Sequence, residues 1–217
     1  MILETYRYRV GGRVSRLTRA QQQQRTHERL LAAGWSVFVR RGFLAATVEE
    51  IVAEAGYTRG ALYKHFGGKE GLWLAITDAQ VEEHLLHLGN RLDSASDRDE
   101  LIAALIPGGP AFGEGEPRWS VATYEFAAWT AGQPELATTV VADQRLREER
   151  IVEMLRRNCA RLGIQPVMPL PQVVVLIGAL GGSLTLRRAV DPATDVRAVE
   201  AGVIAAVLPM PSEKGTS

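Results

Sequence analysis

Apolar residues return every three or four positions along most of the chain, and no stretch alternates apolar and polar residues as a half-buried strand would. The pattern predicts an all-α protein of about nine helices. A first helix is expected from Thr18 to Arg41, where Leu30, Leu31, Trp35, Phe38 and Val39 recur at helical steps and Gly42 supplies the stop. Thr47, with Glu50 three residues on, forms a capping-box pattern ahead of Ile51 and Val52, so a short second helix starts there. Gly56 supplies a turn and Thr58 a cap for a third short helix ending near His65. Gly67-Gly68 separates it from a fourth helix running to about Leu92. Further helices are expected over 97–106, 118–131, Pro134 to Gly163, Pro169 and Pro171 to Val190, and 194–208, with GGPAFGEGEP (108–117) a loop of turn formers and PSEKGTS a frayed tail. The eighth helix reads as buried almost all round. Together with Val196, Val199, Val203, Ile204 and Val207 of the ninth, it needs a partner surface, either a second chain or the core of its own.

With 217 residues, 46% of them apolar, the chain can bury a sizeable core as one large or two small domains. Its 25 basic and 25 acidic residues balance, but unevenly. Residues 1–70 carry 12 Lys+Arg against 6 Asp+Glu, and the remainder 13 against 19, so the front of the chain suits a polyanion and the rear does not. Cys159 is the only cysteine, which excludes an intrachain disulfide and fits the cytoplasm; it reads as a small buried hydrophobe. The first residues, MILETYRYRVGGRVSR, lack the apolar core of a secretory signal. The longest apolar run, Val173 to Leu186, reads as too short for a bilayer and is interrupted by Gly178, Gly181 and Gly182. A soluble cytoplasmic protein without a membrane span is expected.

The basic front contains two short helices joined by a glycine turn and preceded by a longer one, the arrangement of a helix-turn-helix. Ile51, Val52, Ala55, Leu62 and Phe66 face inward and fix the angle between the helices. The opposite face of the third helix is then free to enter a major groove about 12 Å wide, presenting Thr58, Arg59, Gly60, Tyr63, Lys64 and His65. Gly60 costs about 1 kcal/mol relative to Ala in a helix interior, which close approach of the backbone to a phosphate would offset.

Thr47, Ile51, Ala55-Gly56, Thr58, Gly60, Leu62-Tyr63, His65-Phe66, Lys69 and Leu72 together resemble the N-terminal signature of TetR-family (tetracycline-repressor-like) transcriptional regulators, and LLAAGWSVFVRRGF resembles the family's first helix. The likeness covers about residues 25–74. Beyond it, only the run of helices matches. Ala61 departs from the Ser or Thr often found there, and Gly67-Gly68 replaces the usual Pro-Ser type entry to the fourth helix. The resemblance implies that Thr47, Tyr63 and Lys69 contact phosphates of double-stranded operator DNA, that Arg59, Gly60 and Lys64 approach base edges, and that His65 does either. From the residues alone, Tyr63 can equally pack half-buried and His65 can cap its helix. Arg7, Arg9, Arg13, Arg16 and Arg19 form a basic arm that either adds DNA contacts or is a disordered tail. The resemblance further implies homodimerisation through the last two helices and release from a palindromic operator by a small-molecule effector. The expected organisation is a DNA-binding domain over 1–70, with 1–17 as its arm, and an effector-binding and dimerisation domain over 71–217.

On the sixth helix, Trp119, Ala122, Phe126 and Trp129 share one arc with Glu125 near its centre. On the seventh, the stripe of Leu136, Val140, Ile151, Leu155 and Leu162 passes through Gln144, with Glu148 beside it. Polar groups inside an apolar stripe are costly unless partnered. Either these seven residues wall a pocket for a mostly apolar effector, or Glu125 pairs with Arg145 or Arg147. GALGGS (178–183) follows no strand and lacks a phosphate-loop lysine. His84 and His87 lie one turn apart without further ligands, so neither a metal nor a cofactor is expected. No catalytic constellation is present, which argues against an all-α enzyme; an architectural DNA-binding protein without effector is the other rival.

Overall fold

The computed structural model describes residues 18–106 and 117–210; the arm at 1–17, nearly all of the loop at 108–117 and the tail at 211–217 lie outside the described residues, so that of the five arm arginines only Arg19 is described. Among those described there are nine helices and no strand: α1 (Arg19–Ala45), α2 (Val48–Ala55), α3 (Arg59–Phe66), α4 (Lys69–Ser94), α5 (Arg98–Leu105), α6 (Pro117–Ala131), α7 (Pro134–Leu162), α8 (Leu170–Val190) and α9 (Val196–Val207). Thr18 opens α1 through a reciprocal capping box. Its hydroxyl accepts from the Gln21 N–H at 3.2 Å, and the Gln21 side chain accepts from the Thr18 N–H at 2.9 Å. Gly42, at φ 79 and ψ 171, breaks α1 where a stop is expected, and one further turn follows to Ala45. Thr47 and Glu50 form the expected capping box, and Thr58 caps α3 by accepting from the Ala61 N–H at 3.3 Å.

Two cores result. The first joins Leu30, Val37, Phe38 and Phe43 of α1 with Ile51 and Val52 of α2, Leu62 of α3, Leu72, Trp73 and Ile76 of α4, and also Trp119, Ala122 and Phe126 of α6. Gly34 lets α1 approach α4 closely: a Cβ there would lie 2.7 Å from Leu72 Cδ2. A Cβ on Gly71 would overlap the carbonyl oxygen of Phe66, so the first turn of α4 rests directly on the end of α3. The second core joins the far half of α4 (Leu88, Leu92) with Leu101 and Leu105 of α5, Val152, Leu155 and Cys159 of α7, Val173 and Val174 of α8, and Ile204 and Val207 of α9. Buried Asn158 ties α7 to α4 by donating to Asp93 Oδ1 at 2.9 Å while Arg161 donates to its oxygen at 2.7 Å. Arg98 of α5 closes the end of α9 by donating to the carbonyls of Leu208 (2.6 Å) and Ala205 (2.7 Å).

The last two helices depart from expectation within one chain. The helix α8 is longer than the apolar run it contains, and Leu170–Arg188 is long and apolar enough, by length and composition alone, to cross a membrane. Rather than being buried all round, only 17% of that stretch is buried, on the side that carries Val173, Val174 and Leu184, with Leu170, Leu176 and Ile177 partly buried against the second core. Val175, Gly178 and Ala179 face outward. In α9, Val196, Ile204 and Val207 turn into the core while Val199 stays exposed. Cys159 is buried as expected, and burial pushes its thiol pKa up.

Candidate nucleic-acid interface

Packing of Ile51, Val52, Ala55 and Leu62 leaves one face of α3 uncovered. On it Arg59, Gly60, Tyr63 and Lys64 are exposed, Tyr63 to 47%. A Cβ on Gly60 would meet only Thr58 Oγ1 at 3.8 Å, so the backbone is open to close approach. His65 is half-buried. It lies near His27 of α1, with ring centroids 5.8 Å apart, and His27 in turn stacks on Phe66 at 4.7 Å. Burial, then the charges of His27 and Lys64, push the His65 pKa down. Thr47 is exposed, but its hydroxyl accepts from the Glu50 N–H at 3.2 Å and donates to Glu50 Oε2 at 3.1 Å. Arg59 Nη1 pairs with Glu49 Oε1 of α2 at 2.7 Å.

Lys69 is a correction. Its ammonium does not project toward a phosphate; it donates to the carbonyls of Phe43 (2.9 Å) and Ala46 (3.1 Å) and sits 4.5 Å above the Phe43 ring. The end of α1 at Ala45, one turn past the break at Gly42, leaves these carbonyls without helix partners, and Lys69, at the start of α4, supplies the donor. Burial lowers its pKa, against the opposing charges of Glu70 and Glu125.

Glu125 is a second correction. It neither faces a cavity nor pairs with Arg145 or Arg147: its Oε2 accepts from the Leu44 N–H at 3.0 Å, and a Cβ on Gly42 would lie 2.5 Å from the same oxygen. The same break in α1 frees this N–H, and the glycine leaves room for the carboxylate. One side chain of α4 and one of α6 thus satisfy two acceptors and a donor at the broken end of α1, forming a joint between the helix-turn-helix and the helices behind it. Arg147 pairs instead with Asp78 of α4.

The expected pocket walls are not assembled into a pocket. Trp119, Ala122 and Phe126 are buried in the first core, where Trp119 stacks on Trp73 at 4.5 Å and lies 4.2 Å from Trp35, and Phe126 meets Phe43 edge-on at 4.9 Å. Trp129, half-buried, packs on Phe43 at 5.4 Å. Rings of this size fill the space between α6 and α1. Gln144 is exposed and donates to Glu148 at 2.8 Å, and Glu148 lines an open groove of about 520 Å3 between α7 and α8. A second open groove, about 420 Å3, runs between α4 and α5 past His87 and Arg91. Among the described residues, no group of three or more His, Cys, Asp or Glu is placed to hold a metal. Sequence reasoning missed Glu49, His27 and the Leu44 N–H; only Gly42, as a helix stop, signalled that backbone groups there would need partners.

The family model for bacterial regulatory proteins of the tetR family matches residues 30–76. The HTH-type transcriptional regulator SrpR of Pseudomonas putida is 35% identical over 89 residues, which are 40% of this chain and 41% of SrpR. The chain thus spans less than half the length of that relative. A TetR-family regulator from Rhodococcus sp. shares the fold with a TM-score of 0.68 at 19% identity, covering 86% of this chain and all of that one. SmeT in complex with triclosan does so at 0.63 and 23%, covering 86% and 93%. Similarity at these identities speaks to fold, and it extends the likeness across helices that the sequence match does not reach. Over residues 30–76 this chain thus matches the model of the tetR family of bacterial regulatory proteins, and over the remaining helices it shares the fold of solved regulators of that family.

Proposed function

We propose that the chain is a homodimeric, cytoplasmic repressor whose residues 1–70 bind a palindromic operator and whose residues 71–217 dimerise and hold a small, mostly apolar effector. The observation that carries this reading is the coexistence, in one chain, of a single open recognition face on α3 and a largely uncovered apolar helix α8. Two copies paired through α8 and α9 about a two-fold axis present two α3 helices to two half-sites, spaced by about 34–36 Å per helical turn or a multiple of it. Arg59, Gly60 and Lys64 meet base edges, Thr47, Thr58 and Tyr63 meet phosphates, and His65 lies at the border, held by His27. Lys69 acts indirectly, by fixing the end of α1 against α4.

The solved complex of SmeT with triclosan supports an apolar effector. Effector binding among the C-terminal helices that displaces α4 or α6 pulls on Lys69 or Glu125, and so reorients α1 and the two short helices resting on it. One observation favours a second reading, DNA binding without an effector: the aromatic face of α6 is packed solid.

Sedimentation at micromolar concentration tests the dimer. The parent is expected as a dimer, and Gly178→Arg, at a position where a Cβ meets nothing within 4 Å, as a folded monomer with weakened operator binding. A monomeric parent would sink the proposal. A thermal-shift screen of apolar compounds, followed by operator release, separates the effector reading from its rival.

A further inference from the structure

Three glutamates of α2 pair with arginines, but not with the same side of the molecule. Glu54 reaches Arg40 at 2.8 Å and Glu50 reaches Arg41 at 3.2 Å, both on α1. Glu49 alone turns to the recognition helix, with Oε1 2.7 Å from Nη1 of Arg59, and among the described residues it is the one acidic side chain paired with Arg59. The two side chains are 59% and 61% exposed, so the pair adds little to stability, and its placement calls for another role.

We propose that Glu49 is a specificity-determining residue: it holds the Arg59 guanidinium over the groove floor, for a guanine, and keeps it off the phosphates. This rests on the reading that α3 enters a major groove. Arginine offers five donors in a planar fork on a flexible stem. Without a partner, such a side chain settles on the nearest phosphate, a contact that carries no sequence information. Glu49 engages one Nη1 donor and leaves the rest of the fork for the O6 and N7 acceptors of guanine, the pairing that gives arginine its discrimination. Its carboxylate also repels phosphate, so the pair is accommodated only where base edges, not backbone, lie beneath it. Among the described residues Glu49 is the only ion-pair partner of Arg59, which makes it the positioning group.

The test is selection from a randomised duplex pool with the full-length protein, Glu49→Ala, Glu49→Gln, Arg59→Ala and the double variant, each checked for an unchanged melting temperature. The parent should enrich a site with guanine at the position whose preference Arg59→Ala loses. Glu49→Ala should reduce discrimination at that same position by about tenfold while non-specific binding tightens, and its salt slope should steepen by about 1 per protomer. Glu49→Gln should retain part of the preference, and the double variant should match Arg59→Ala at that position. If the parent enriches a site and Glu49→Ala shows identical discrimination at every position, this inference fails while DNA reading stands. A parent that enriches no sequence overturns DNA reading and this role with it.

Discussion

The two cores bury their apolar surface by different means. The first is built on rings: Phe38, Phe43 and Trp73 meet edge-on or stacked at 5.0–5.9 Å, and Trp119 and Phe126 bring α6 into the same cluster. Rings constrain one another's angles, so the helix-turn-helix is held at a defined inclination to α4 and α6. The second core is mainly aliphatic, and beside it α8 is rich in glycine and largely uncovered. Small residues on such a face let another backbone come close. One region is finished within the chain, whereas the other leaves apolar surface uncovered, the division that the proposed function needs between a reading head and an assembly face.

The sharpest way to break this comparison uses tryptophan. All four tryptophans, Trp35, Trp73, Trp119 and Trp129, belong to the first core or pack on it, so their fluorescence reports that region while far-UV circular dichroism reports the whole. Trp73→Ala should destabilise by about 3–5 kcal/mol and lower the fluorescence transition first. Leu155→Ala, costing about 2–5 kcal/mol in the second core, should lower the dichroism transition ahead of fluorescence. Coincident transitions in both variants would mean the cores fold as one unit.

A smaller effect sharpens the joint between them. Glu125→Ala removes a charge-assisted hydrogen bond to the Leu44 N–H and should cost about 1.5–3 kcal/mol, read by denaturant unfolding, with operator affinity reduced and the dimer intact. Gly60→Ala should separate stability from function: an open helical site gains about 0.4–1 kcal/mol, while operator binding weakens because the backbone can no longer approach as closely. Glu200 gives the subtlest effect. It is buried on α9, and desolvation raises its pKa, against the attraction of Arg188 and Arg197. A carboxyl whose folded pKa lies above its unfolded one costs stability at neutral pH, and the cost fades as pH falls through the folded value. Glu200→Gln should therefore melt higher than the parent at pH 7, with the gap narrowing toward acid.

Much of the fold is legible in the sequence because its signals are local. Thr18, Thr47, Thr58 and Asp97 each cap a helix, Gly56 and Gly163 close one in the left-handed conformation, and helix ends fall within a few residues of where these residues put them. Neighbours in space are harder. The 3.6-residue period shows that α6 has an apolar arc with Glu125 in it, and hence that Glu125 needs a partner; it does not say that the arc packs on α1 or that the partner is a backbone N–H 81 positions earlier. Lys69 misleads for the same reason, since its position matches a family motif while its ammonium is captured by the broken end of another helix. On α7 the stripe is real, but it is fully buried only in its C-terminal half, around Val152, Leu155 and Cys159; Leu136 and Val140 pack partly buried on the first core, and Gln144, between the two stretches, lies in the open.

The contact of Gly71 with the Phe66 carbonyl has a mechanical consequence. With no Cβ between them, the end of α3 and the first turn of α4 lie in direct contact, so a tilt of α4 is passed to α3 as through a crank. Its 26 residues make a rod about 39 Å long, and a tilt of about 5° at the far end swings the near end by roughly 3.4 Å, the rise of one base pair. On the proposed reading of α3, a small angular change beside the second core is enough to shift it by a full step along the DNA.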